Sequence, residues 1–227
     1  MKIVVIGTGY VGLVSGASFS EFGFDVTCID KDVAKIETIN QGVMPIYEPG
    51  LAELVARNIN ADRLRFSNDL SPAVAHADAV FIAVGTPTRR GDGHADLSFV
   101  YAAAEELAAH LSGYTVIVTK STVPVGTGRE VAGIVEKANP DADFDIVSNP
   151  EFLREGAAIS DFMRPDRVFV GAETELARDV MRALYRPLFL IETPILFTNL
   201  ETSEPVSYTH LRAHETRGNL VCRLLLE

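Results

Sequence analysis

The feature that most constrains this chain is Gly7-Thr8-Gly9-Tyr10-Val11-Gly12, a G-x-G-x-x-G string placed directly after an apolar run at residues 2–6 and opening a helical pattern. Each glycine has a separate task in that context. Gly7 permits the tight turn, Gly9 lets a pyrophosphate approach the backbone, and Gly12 lets helix and strand pack closely. The helix start behind them offers free N–H groups and the positive end of its dipole to phosphates. A second run, residues 25–29, leads to Asp30. A carboxylate there can accept both hydroxyls of an adenosine ribose and repels a 2′-phosphate, so NAD is favoured over NADP, a preference that Lys31 and Lys35 soften. The plainer alternative is a glycine turn followed by a solvent-facing Asp.

The rest of the chain repeats the same alternation. Short apolar runs at 2–6, 25–29, 63–66, 79–84, 115–119, 144–148 and 167–171 are nearly continuous, which suits strands buried on both faces of a parallel sheet. Helical patterns fill 10–22, 33–41, 49–58, 97–111, 126–138 and 173–184. This predicts an α/β fold with a doubly wound, mostly parallel sheet, a Rossmann-type NAD-binding domain over residues 1–204. A formal net charge of −11 argues against binding a nucleic-acid backbone or an anionic membrane surface. No apolar run approaches a bilayer span, and the first one is too short for a signal peptide. Two cysteines, Cys28 and Cys222, cannot make a disulfide framework, so a reducing cytoplasmic setting is expected. Cys28 reads as a buried strand residue, and Cys222 has no neighbour that would activate it. His76, His94, His110, His210 and His214 lack metal-ligand spacing, so no metal is expected.

Three further clusters fall at predicted strand ends, the edge where open α/β sheets bind ligands. Val84-Gly85-Thr86-Pro87-Thr88 turns a hydroxyl toward that edge, or is a plain strand-to-loop turn. Thr119-Lys120-Ser121-Thr122-Val123-Pro124-Val125-Gly126-Thr127 gathers a Lys and several hydroxyls that can orient a water or a substrate hydroxyl, with Thr127 available to cap the next helix. Ser148-Asn149-Pro150-Glu151-Phe152-Leu153-Arg154-Glu155-Gly156 carries two carboxylates that would share one helix face. They suit a base, a water-holding pair or a sugar clamp, and equally a solvated helix start.

Taken in order, these strings resemble the nucleotide-sugar dehydrogenases, which oxidise a sugar C6 alcohol to a carboxylate. The resemblance also rests on Lys35 behind Asp30, on Pro45-Ile46-Tyr47-Glu48-Pro49-Gly50-Leu51 and on Arg164-Pro165-Asp166-Arg167. The Ile46-Tyr47-Glu48-Pro49-Gly50 string favours the UDP-glucose branch over the GDP-mannose branch. The resemblance implies that Gly7, Gly9, Tyr10, Val11, Gly12, Asp30, Lys35, Thr86, Thr122 and Glu155 contact NAD. It implies that Glu151, Phe152, Leu153, Arg154 and Glu155 form part of the wall for UDP-glucose, and that Thr122 and Glu151 position water and assist proton transfer. The family reaction uses two NAD and one water, with a Cys thiolate holding the intermediate as a thiohemiacetal and then a thioester. Two other readings stay open: a GDP-mannose or UDP-N-acetylmannosamine dehydrogenase, and an NAD-binding module without catalysis.

The match stops after Glu204. The family continues into a long central helix that forms a homodimer, then a loop with the nucleophilic Cys and a second domain. Residues 205–227 contain none of these strings, and residues 206–227 set three arginines against two glutamates in an otherwise acidic chain. We expect 205–227 to be a foreign or disordered tail and the 227-residue chain to be inactive by itself. At 199–204 the sequence predicts a helix start with Thr202 or Ser203 as its cap. Without a covering helix, Ile195, Leu196, Phe197 and Leu200 are expected to form an exposed apolar surface.

Overall fold

A computed structural model describes residues 1–87 and 95–206. Thr88, His94, His210, His214, Cys222 and nearly all of the 205–227 segment lie outside the described residues. In chain order the elements are β1 (Lys2–Ile6), α1 (Tyr10–Glu21), β2 (Asp25–Ile29), α2 (Val33–Asn40), α3 (Leu51–Asn60), β3 (Leu64–Ser67), α4 (Ser71–Val74), β4 (Ala79–Ile82), α5 (Ser98–Ala108), β5 (Thr115–Thr119), α6 (Thr127–Ala138), β6 (Phe144–Ser148), α7 (Ala158–Met163), β7 (Val168–Ala172), α8 (Glu175–Leu184), a 3₁₀ turn (Arg186–Ile191), β8 (Ile195–Thr198) and α9 (Leu200–Ser203).

The strands form one sheet in the order β3-β2-β1-β4-β5-β6-β7-β8. Every pairing is parallel except β6 with β7. The strand order reverses beside β1, where β2 lies on one side and β4 on the other, which opens a crevice at the carboxyl ends. Successive strand residues serve opposite cores. Ile3, Val5, Phe81, Val116 and Val118 pack on the face of α1, α3, α7 and α8, whereas Val4, Ile6, Val80, Ile82 and Ile117 pack under α4, α5 and α6. This explains why the runs read as continuous rather than alternating.

Helix α1 is covered almost all round, with nine consecutive buried residues from Gly12 to Ser20. Its close approach to the sheet depends on Gly16, where a Cβ would come within 2.3 Å of Cys28 Sγ. Phe19 anchors it further, meeting Phe81, Phe162 and Tyr185 with ring centroids 4.9, 5.0 and 5.8 Å away.

Three expectations change. Residues 151–154 have no regular structure and 155–157 form a turn, not a helix, so Glu151 and Glu155 share no helix face. Gly156 takes φ +84°, outside the right-handed helical region, so no helix runs through this stretch into α7. The cap of α9 is Asn199, whose side chain accepts from Thr202 N, rather than Thr202 or Ser203. Residues 195–198 form an edge strand, which the sequence reading missed. There Leu196 is exposed while Leu200 is buried between α6 and the sheet, so the anticipated patch is smaller than expected.

Candidate functional site

The glycine turn has the geometry its spacing predicts. Gly7 takes φ +102° and donates to Ile29 O at 2.7 Å, which ties the end of β1 to the end of β2. A Cβ at Gly12 would meet Gly7 O at 1.9 Å, so this helix–strand contact admits only glycine. Gly9 is the N-cap of α1, with no side-chain cap and no acidic residue in the first turn. Nothing lies within 4 Å of where its Cβ would be. Open space in front of an uncapped 12-residue helix is a ready seat for a pyrophosphate.

Asp30 sits beside that turn. Its Oδ2 accepts from Thr8 N at 2.9 Å, Thr8 Oγ1 at 2.6 Å and Lys35 Nζ at 2.7 Å, while Oδ1 receives only Asp32 N at 3.1 Å. Burial works against the charge, but Lys35 and the Thr8 donors outweigh it and hold the carboxyl at about 2. Oδ1 therefore keeps acceptor capacity for ribose hydroxyls. Lys31 turns away to Glu106 at 2.8 Å, and Lys35 is spent on Asp30. Both cations are thus ion-paired in this structure, Lys31 in an exposed pair and Lys35 in a half-buried one.

The other strand ends continue along the same edge. Thr86, after β4, donates from Oγ1 to the Thr122 carbonyl at 3.4 Å, which brings the two hydroxyl loops together. Ser121 Oγ donates to Val84 O at 2.7 Å. Thr127 caps nothing with its side chain; its hydroxyl donates back to Pro124 O at 2.7 Å. The helix behind this loop is instead capped from a distance. Glu204 accepts from Gly126 N at 2.6 Å and Gly128 N at 2.7 Å, and it is almost wholly buried. Burial pushes the Glu204 carboxyl up, and those two N–H groups partly counter it.

At the ends of β5 and β6 lies a buried polar group. Lys120 is 3% exposed, and its Nζ donates to Asn149 Oδ1 at 3.1 Å, with the Asn149 carbonyl at 3.5 Å and the Phe162 ring centroid at 5.7 Å. Tyr185 donates to the same Oδ1 at 2.5 Å. Burial pushes the Lys120 ammonium down to about 8, against the pull of the Glu151 charge. Glu151 accepts from Leu153 N at 2.6 Å; burial pushes its carboxyl up, countered by that N–H and by Lys120. Both residues line a cavity of about 40 Å³. Beside it, Phe152, Arg154, Arg164 and Arg167 contribute to a larger cleft of about 490 Å³. Arg154 itself is paired with Asp161 at 2.7 Å, and Glu155 is exposed.

The structure gives Glu48 a task the sequence reading had not assigned. It accepts from Tyr10 Oη at 2.6 Å, Gly156 N at 2.8 Å and Ala158 N at 2.9 Å. One buried carboxylate thus staples the start of α1 to the loop after Glu151 and Glu155. The phenol of Tyr10 is committed to that staple, and burial and Glu48 hold its pKa well above the ordinary range. The Glu-Pro-Gly string was the visible signal for Glu48. Nothing local signalled Glu204.

Residues 1–189 match the model of the UDP-glucose/GDP-mannose dehydrogenase family, NAD binding domain. The chain is 61% identical over 210 residues to the UDP-glucose 6-dehydrogenase of Rhizobium meliloti (strain 1021), covering 92% of this chain and 48% of that protein. It is 51% identical over 208 residues to the UDP-glucose 6-dehydrogenase TuaD of Bacillus subtilis (strain 168), covering 91% and 44%. The chain therefore spans about half the length of the curated relatives it matches. Among solved structures, a GDP-mannose dehydrogenase from Pseudomonas aeruginosa superposes with a TM-score of 0.90 at 33% identity, over 97% of this chain and 51% of that one. A UDP-glucose dehydrogenase from Pyrobaculum islandicum gives 0.87 at 39%, over 92% and 48%.

Proposed function

Because the chain belongs to the UDP-glucose/GDP-mannose dehydrogenase family through its NAD-binding domain, we propose that it is the cofactor half of a UDP-glucose 6-dehydrogenase, which converts UDP-glucose to UDP-glucuronate for polysaccharide biosynthesis in the cytoplasm. The observation that carries this reading is the single sheet edge on which the Gly9 seat, the Asp30 carboxylate, the Thr86–Thr122 contact and the half-buried Glu151 all lie.

The residues present fit NAD. The α1 N-terminus at Gly9 to Gly12 takes the pyrophosphate, where a Cβ on Gly9 would fill the seat. Asp30 Oδ1 takes the ribose, with Lys35 and Thr8 holding the carboxylate ionised. The charge of Glu155 acts on the Tyr10 phenol at the start of α1, which supports reading Glu155 as a residue of the cofactor site. When bound, NAD supplies the acceptor for hydride from the sugar C6.

The protein's own contribution is orientation and proton handling. Thr122 and Glu151 flank the reacting carbon, and Glu151 takes the proton from the sugar hydroxyl at a carboxylate oxygen and activates water in the final hydrolysis. Phe152, Leu153, Arg154 and Glu155 form one wall for the UDP-sugar, a reading supported by Phe152 and Arg154 lining the larger cleft and Leu153 the smaller cavity. The domain division at residue 204 and a homodimer through a following helix belong to the same reading.

Calorimetry on the 227-residue chain tests the cofactor half: NAD binds, and NADP binds at least about tenfold more weakly. Joining residues 1–204 to the second half of the Rhizobium meliloti relative tests the chemistry. The chimera should form NADH with UDP-glucose and lose that activity on Glu151→Gln. A chain that binds no NAD, or a chimera indifferent to Glu151, would overturn the proposal.

A further inference from the structure

We infer that Lys120 is a positioning residue, buried with Asn149 and Tyr185 at the floor of the cavity it shares with Glu151, and that it holds a fixed positive charge there which favours the ionised Glu151 carboxylate for proton exchange with substrate. The inference rests on the proposed reading of Glu151 as the acid–base group and goes beyond it by naming the group that controls it.

Packing alone does not call for a lysine here. An ammonium out of water is costly, and a Met would fill similar space without that cost. Lys120 has three N–H donors, yet its acceptors are the neutral Asn149 Oδ1 at 3.1 Å and a long approach to the Asn149 carbonyl at 3.5 Å. Among the described residues, no carboxylate lies within ion-pair distance of Nζ. The floor itself is rigid. Asn149 donates from its backbone to Thr119 O at 2.9 Å and from Nδ2 to Phe169 O at 2.7 Å, and accepts from Tyr185. Lys120 is fixed in turn by its own N–H to Ile82 O at 3.0 Å. A fixed cation thus stands beside the cavity that Glu151 lines, one proline after Asn149 in the chain.

The surrounding charges leave Glu151 as the group it acts on. Asp161, on α7, is held by the Arg154 guanidinium at 2.7 Å. Arg167, just before β7, is exposed, and Tyr185, just after α8, is neutral because burial holds its pKa high. Lys120 and Glu151 each favour the other's charged form, while burial opposes both. A cavity of about 40 Å³ admits water, which can relay the interaction. When Glu151 takes up the substrate proton, the field on Lys120 falls and its ammonium becomes more acidic, so the two protonation steps are linked.

The test is a ¹³C NMR titration of the full chain labelled at lysine Cε and glutamate Cδ, on wild type, Lys120→Met, Lys120→Arg and Glu151→Gln, with thermal unfolding to confirm folding. We expect the Glu151 midpoint to rise in Lys120→Met and to stay near wild type in Lys120→Arg. The Lys120 midpoint should fall in Glu151→Gln by the same amount that Glu151 rises, because coupling is reciprocal. If Lys120→Met does not fold, the Glu151→Gln shift alone decides. Folded variants whose midpoints ignore each other, or a Lys120→Arg protein that behaves like Lys120→Met, would overturn the inference. None of these readouts uses NAD binding or turnover, so failure of the cofactor reading remains separately visible.

Discussion

Replacing Gly9 and Gly12 by alanine, one at a time, separates ligand seating from fold. Gly9 has φ −74°, ψ −168°, open space around its missing Cβ and an N-cap position. Alanine caps a helix worse than glycine by roughly 0.5–1 kcal/mol, and restricting the unfolded chain returns about 0.4–1 kcal/mol. The two terms offset, so Gly9→Ala should unfold within about 0.5 kcal/mol of wild type. Its new methyl group stands where the pyrophosphate must approach, so NAD affinity should fall at least about tenfold, or about 1.4 kcal/mol. Gly12→Ala does the opposite. Its Cβ would lie 1.9 Å from Gly7 O, against an optimum near ~3.5 Å, and Gly7 is held by its bond to Ile29 O. The turn must open, at a cost of about 3 kcal/mol. Urea unfolding and calorimetry with NAD measure both quantities on the same samples. A folded Gly9→Ala protein with undiminished NAD affinity would refute the placement of the pyrophosphate, and a Gly12→Ala protein as stable as wild type would refute the contact geometry.

Asp30→Asn should weaken NAD binding by roughly tenfold, measured by calorimetry. Because the folded Asp30 carboxyl is held at about 2, below its ordinary 3.8, its stabilisation is present above pH ~4 and is lost as pH falls toward ~2. Allowing for solvent screening, that segment is worth about 1–2 kcal/mol and should vanish from the acid stability profile of the variant. Glu204→Ala strips one buried and one part-buried N–H group of their acceptor and should cost about 2–3 kcal/mol in denaturant unfolding, whereas Glu201→Ala, which breaks an exposed pair with Arg129, should cost well under ~1 kcal/mol. Cys28 is fully buried and its thiol is pushed up to about 12, so mass-mapped thiol labelling should leave it unmodified at pH 8 until the protein unfolds.

Much of the sheet was legible because its signals are contiguous. A five-residue apolar run, a glycine turn and a helical repeat state their structure within a few neighbours, and seven of the eight strands follow from such runs. The eighth, Ile195–Thr198, is also a continuous apolar run, but it is short and only partly buried, and it reads equally as a surface awaiting a covering helix; its parallel pairing with β7 is what makes it a strand. The stretch at Glu151 to Glu155 misled for a different reason. Its spacing suits a helix face, but the chain has no regular structure at 151–154 and turns at 155–157 through a glycine at positive φ, so the helical spacing does not apply.

By itself, then, the sequence determined the doubly wound sheet through its contiguous apolar runs, and the glycine turn with Asp30 beside it through backbone sterics and charge within one βαβ unit. Only the tertiary structure decided which polar groups meet across elements. Glu48 reaches Ala158 over 110 residues of chain, Glu204 reaches Gly126 over 78, and Lys120 shares a cavity with Glu151 across two parallel strands. Such partnerships depend on strand order and register, which bring distant side chains to one sheet edge, and a buried charge finds its partner only after the sheet has closed around it.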